Sequence, residues 1–199
     1  MFGLKFGAKK KAEPQGEFVT ARLNARVQPM DRGEYYEDPL DETLKAAGLG
    51  EVTGGGTQLA DEPAGIEFCD VEIFVRKADD ETLTAIARRL DALGAPKGSR
   101  LIVDESGREI PFGTHEGLAV YLNGVDLPDH VYEACDFDTV VDAFNRLMGD
   151  KGAYRGYWQG SRETAVYCYG SSFSDMKSAI EPFLGSYPLC AGARVEQIA

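Results

Sequence analysis

Residues 66–75 read Ile66-Glu-Phe-Cys-Asp-Val-Glu-Ile-Phe-Val75. The side chains alternate as a β-strand requires: Cys69, Val71, Ile73 and Val75 fall on one face, and Phe68, Asp70, Glu72 and Phe74 on the other. The first face belongs to a core. The second sets two carboxylates between two aromatic rings, an unusual composition for a buried surface.

Working outward, residues 18–27 alternate in the same way, with Val19, Ala21, Leu23, Ala25 and Val27 opposite Phe18, Thr20, Arg22, Asn24 and Arg26. Pro29 and Gly33 are expected to end that strand. Asp38-Pro39 has the form of a helix start, Asp as N-cap and Pro in the first turn, and Gly48 ends the helix. Residues 50–59 suit a strand weakened by Gly54, Gly55 and Gly56, the mark of a bulge or a close backbone approach. After residues 66–75, Asp79 or Asp80 caps a helix carrying Leu83, Ile86, Leu90 and Leu93 at helical spacing, and Leu101-Ile-Val103 is a fourth strand. The order is strand, helix, strand, strand, helix, strand.

That order then repeats. Leu118, Val120 and Leu122 mark a strand, and Asp136 caps a helix with Val140, Phe144 and Met148 on its apolar side. Residues 154–159 and 164–170 form a hairpin across Gly160-Ser161. Ser172 or Ser174 caps a last helix that Pro182 should kink or shorten, and residues 194–198 close the chain as a strand. The reading is an α+β fold: a tandem duplication of the ferredoxin-like βαββαβ unit, with antiparallel-rich sheets and helices on one face of each. The expected divisions are a disordered basic tail (1–16), a first half (17–104), a connector (105–116) and a second half (117–199).

Bulk properties bound the function. The 199 residues are 43% hydrophobic and 27% charged, enough for two small packed units. In residues 1–16, Lys5, Lys9, Lys10 and Lys11 outweigh Glu13, so the formal charge of −12 splits into +3 on the tail and −15 on the body. A body so acidic repels phosphate backbones, so nucleic acid is not the expected partner. No apolar run reaches membrane-spanning length, and the N-terminal segment is too short and interrupted for a secretory signal. Cys69, Cys135, Cys168 and Cys190 have no metal-ligand spacing and read as reduced thiols of a cytoplasmic protein.

Several strings, Gly54-Gly-Gly-Thr-Gln-Leu59, Ile66-Glu-Phe-Cys-Asp-Val-Glu-Ile73, Glu116-Gly-Leu-Ala-Val-Tyr-Leu-Asn-Gly124, Tyr157-Trp-Gln-Gly160, Glu163-Thr-Ala-Val-Tyr-Cys-Tyr-Gly170 and Tyr187-Pro-Leu-Cys190, resemble a group of uncharacterised bacterial proteins. The resemblance implies a cytosolic bacterial protein of unknown function and carries no catalytic residue.

Function is expected on the sheet faces that helices leave bare. In the first half Arg22 and Arg26 should lie beside Asp70 and Glu72, with arginine forks gripping carboxylates. In the second half Tyr121, Tyr167 and Tyr169, joined by Tyr157 or Trp158, form a tyrosine platform that could stack a ring or a base, or serve as an interface with the other half or with a second copy, as in a homodimer. These faces suggest a binding or regulatory protein whose partner is a basic protein or a small polar molecule. The alternative is an enzyme using Asp70, Glu72 or His115 for acid–base chemistry in a cleft between the halves. The Gly54–Gly56 run lacks the Lys-Ser/Thr of a phosphate-binding loop, His115 and His130 make a poor metal set, and no hydrolase motif occurs. No cofactor and no metal are therefore expected.

Overall fold

A computed structural model describes residues 16–199. The tail expected over residues 1–16 lies, but for Gly16, outside the described residues.

The first half contains β1 (Glu17–Leu23), β2 (Gly50–Leu59), β3 (Ile66–Val75), β4 (Ser99–Val103) and β5 (Arg108–Phe112). They form one antiparallel sheet in the order β2-β3-β1-β4-β5. The second half contains β6 (Glu116–Asn123), β7 (Gly152–Gln159), β8 (Glu163–Gly170) and β9 (Arg194–Gln197), in the order β7-β8-β6-β9. Apart from β5, the two orders are the same. In each, the first and third strands of the repeat are central neighbours, so the chain is a duplicated ferredoxin-like α+β unit.

Helices cover one face of each sheet. In the first half these are α1 (Pro29–Arg32), a π turn (Gly33–Glu37), α2 (Asp38–Ala47) and α3 (Asp80–Ala92). In the second they are α4 (Asp129–Ala134), α5 (Phe137–Met148) and α6 (Phe173–Leu184). The caps follow the sequence signals. Asp79, Asp136 and Ser172 accept from the backbone N–H groups of Thr82, Thr139 and Asp175, and Gly48 takes the left-handed C-cap conformation. Pro182 lies inside α6, which stops two residues later. Among the described residues, no helix is long and apolar enough to cross a membrane.

Three local expectations are corrected. First, Pro29 starts a helix instead of separating elements, and Gly33 lies within the helical run. Asp38 is therefore not an N-cap. The run widens into a π turn just ahead of Pro39, where a regular α-helix would need the N–H that proline lacks. Second, β1 leaves the sheet after Leu23, whose partner is Cys69. Residues 24–28 lie outside any strand yet keep Ala25 and Val27 buried, and the Asn24 N–H donates to the Ser99 side chain, Oγ at 3.1 Å, instead of to a strand carbonyl. Third, the connector 105–116 holds β5. Ile110 pairs with Leu101, and Phe112 pairs with Ser99 and is buried. Five residues containing Pro111 give too short an alternation to announce a strand; the open edge of β4 supplies the pairing.

The core has two parts. One lies between α5, α6 and the helix-covered face of the second sheet: Leu118, Val120, Leu122, Phe144, Cys168 and Ile180. The other unites the first half's interior with the opposite face of the second sheet, bringing Tyr121, Tyr167 and Tyr169 into one cluster with Leu23, Val71 and Tyr36. The second sheet is thus covered on both faces, and Gly117 to Leu122 are all buried. The first sheet keeps a face without helices.

Candidate functional site

The outward face of the first sheet carries the residues expected there, except one. Arg22 pairs directly with Asp70 across β1 and β3. Its Nε donates to Asp70 Oδ1 at 2.9 Å and its Nη2 to Oδ2 at 2.8 Å, a two-bond fork that holds both groups in plane. The same guanidinium lies 4.1 Å from the centroid of the Phe68 ring. Hydrogen bonding to Asp70 raises the Arg22 pKa above its ordinary value. Glu72 is exposed on this face, opposite Thr20. Phe18 and Phe74 meet edge to face at 5.2 Å, and Phe18 is half exposed. Arg100 adds a looser pair with Glu109 at 3.6 Å.

Arg26 is the exception. It was expected beside Asp70 and Glu72, yet it lies beyond the end of β1 and reaches the second half. Its backbone N–H donates to the Tyr169 hydroxyl at 2.7 Å and its Nη1 to the Tyr121 hydroxyl at 3.0 Å. Its guanidinium stands 5.9 Å from the Tyr167 ring centroid. The tyrosine platform is therefore consumed by packing between the halves. Tyr121, Tyr167 and Tyr169 are at most 2% exposed, which leaves no platform for a second copy or a stacked ligand. The Tyr167 hydroxyl donates to the Ala64 carbonyl, and burial pushes the pKa values of Tyr167 and Tyr169 upward.

Trp158, not Tyr157, joins this face: it pairs with Ala165, while Tyr157 pairs with Val166 and packs on Phe137. The Trp158 ring lies against Gly65, where an added Cβ would stand 2.1 Å from Cγ of the indole. Its Nε1–H is buried without an acceptor among the described residues.

The groups named for acid–base chemistry are not brought together. Asp70 has both oxygens engaged by Arg22, and Glu72 stands on the outward sheet face. His115 lies against Gly94, near Arg155 and Asp91. Burial, then the Arg155 charge, lowers the His115 pKa from its ordinary value. His130 is exposed on α4.

One constellation had no signal beyond the glycine triplet. Arg32 is buried beneath β2, with Nε 2.5 Å from Glu37 Oε1 and Nη1 2.7 Å from Thr57 Oγ1. The π turn makes this possible, because it returns residues five apart to one side of the helix and an α turn does not. Gly55 passes over the pair: a Cβ there would lie 2.5 Å from Glu37 Oε1 and 2.9 Å from Arg32 Nε. The register shift between Val52 and Gly54 adds a bulge at the same place. Close approach and bulge together account for the triplet.

Fold and site define a two-module, ferredoxin-like α+β protein with one helix-free sheet face and a polar seam between its halves. The chain is similar to a solved unknown protein from Galdieria sulphuraria, at 12% identity over 92% of this chain and 96% of that one, with a TM-score of 0.28. It is similar to the first two RRM domains of yeast poly(U)-binding protein, at 12% identity over 91% and 99%, with a TM-score of 0.27. It is also similar to an anthrone oxidase-like protein, at 13% identity over 94% and 91%, with a TM-score of 0.27. No family model and no curated protein matches the chain.

Proposed function

We propose that this chain is a binding or regulatory protein that docks a basic protein partner on the outward face of its first sheet. The observation that carries the reading is the Arg22–Asp70 fork stacked on Phe68 at the centre of a face that no helix covers. Around it, the register places Glu51, Glu72 and Glu109 on the outward side, with Asp104 accepting from Thr20 Oγ1; Arg22 and Arg100 lie among them, and Lys45 and Arg76 stand beside Glu51 and Phe74 at the β2 edge. The face is net acidic and studded with phenylalanines, a composition suited to a cationic protein surface. Beside the fork a depression of about 350 Å³, lined by Arg22, Asn24, Phe68 and Arg100, could seat one side chain of that partner; the protein reading rests on the spread of acidic and aromatic groups around it.

The test compares the intact chain with Glu72→Lys, with Phe18→Ser, and with charge reversal at Asp70 and Glu72 together. A basic protein retained by the wild type is purified and titrated against each variant. Affinity is expected to fall at least about tenfold, roughly 1.4 kcal/mol, and to weaken with added salt. Equal affinity for wild type and for variants with wild-type circular dichroism removes the assignment. Binding by a small polar molecule in place of any protein would move the reading to its alternative.

A further inference from the structure

Where the halves meet, a cavity of about 360 Å³ opens between β2 and β7. That volume falls in the range of small-molecule sites, roughly 300–1,000 Å³. Its apolar walls are Pro29, Leu59, Ile66 and Trp158; its polar lining includes Arg32 and Thr57. Leu59 is 55% exposed at its mouth, a large apolar side chain that folding leaves in water.

Arg32 is the one charged residue of the lining. Arg32 gives one N–H to Glu37 and one to Thr57, which fixes the guanidinium at the cavity wall. The Trp158 Nε1–H is buried away from solvent and has no acceptor among the described residues, so the indole meets the cavity through its ring. Thr57 Oγ1 already accepts from Arg32 and donates to the Val27 carbonyl at 3.4 Å. A ligand acceptor would meet a guanidinium already held in place, and a hydrogen bond to a charged donor is stronger than a neutral one.

The ion pair itself needs a reason. A pair so little exposed, 9% at the Arg32 side chain and 21% at Glu37, is on balance a poor source of stability, because desolvation offsets the attraction. Here it is kept by a π turn and roofed by Gly55, the only residue type that fits over it. Those features hold a guanidinium at the cavity wall with its charge already balanced by Glu37. Carboxylates and neutral carbonyls can therefore both meet it.

We infer that this cavity binds a small, flat, apolar molecule that presents an oxygen acceptor, a carboxylate or an amide carbonyl, to Arg32 and lays its apolar surface against the Trp158 ring. The site is separate from the open sheet face and does not depend on the docking reading. Trp158 is the chain's single tryptophan and so reports directly on occupancy. The full chain is titrated with benzoate, benzamide and toluene while tryptophan emission is followed at wavelengths that tyrosine does not absorb. Saturable change is expected with benzoate or benzamide, with toluene at least about tenfold weaker, the equivalent of one hydrogen bond. The stronger of the two acceptors tells carboxylate from carbonyl. Arg32→Lys keeps a cation beside Glu37 but lacks the fork, and Leu59→Asp alters only an exposed wall; each is expected to weaken binding about tenfold. Absence of saturation with benzoate and benzamide, toluene binding as tightly, or wild-type affinity in both folded variants overturns the inference.

Discussion

The backbone N–H of Arg26 donates to the hydroxyl of Tyr169 at 2.7 Å, joining positions 143 residues apart. Tyr169 is 2% exposed, so this bond sits in the packed contact between the two ferredoxin-like halves. Tyr169→Phe keeps the ring and deletes the acceptor. The Arg26 N–H then has no partner at that site, at a cost of about 1–3 kcal/mol. Urea denaturation should show a lower midpoint for Tyr169→Phe with the slope unchanged; a midpoint equal to wild type would mean that water replaces the hydroxyl.

Gly65 combines two constraints. Its φ is +67°, and an added Cβ would stand 2.1 Å from the Trp158 ring. Gly65→Ala therefore meets about 1–2 kcal/mol of left-handed backbone cost and about 1–3 kcal/mol from the displaced indole. Both urea midpoint and tryptophan emission should shift. A shifted midpoint with unaltered emission would place the strain in the backbone alone.

The cysteines should differ sharply in reactivity. Burial pushes the Cys69 and Cys168 thiols up to about 12 and Cys190 to about 11, so at mildly alkaline pH they remain protonated. Cys135 is partly exposed on the short stretch between α4 and α5. Ellman's reagent on the native chain is expected to label Cys135 first, with the buried thiols following only in denaturant. Rapid labelling of Cys69 or Cys168 in native buffer would show that the core around it opens.

Asp79 caps α3. Hydrogen bonds from the Thr82 backbone and then from Lys77 hold its pKa down at about 2, against an ordinary 3.8. A depressed carboxylate contributes stability above its unfolded value and loses it as pH falls through the folded one. The thermal midpoints of wild type and Asp79→Ala should therefore differ at neutral pH and converge between about pH 4 and pH 2. A gap constant across that window would mean that the cap acts through shape and not through charge.

Much of the architecture was legible because it depends on local chemistry. Period-two alternation marked β1 and β3, and capping residues such as Asp79, Asp136 and Ser172 marked three helix starts. The repeated order gave the duplication, since strand and helix periods are properties of neighbouring residues. The Arg22–Asp70 fork was also readable: once two strands are central neighbours, their outward faces must meet.

What alternation could not tell is what covers a face. Val19 and Tyr167 both stand on alternating strands, yet only the packing of one half on the other made the tyrosine platform an interior and sent Arg26 into it. Likewise, β5 exists because β4 had an unpaired edge, and the Arg32–Glu37 pair because a π turn and Gly55 bring a helix and a strand close. Sequence alone determined the elements and their order, which short-range sterics and periodicity dictate. Tertiary structure decided which surfaces remain in water, because burial is set by partners distant along the chain.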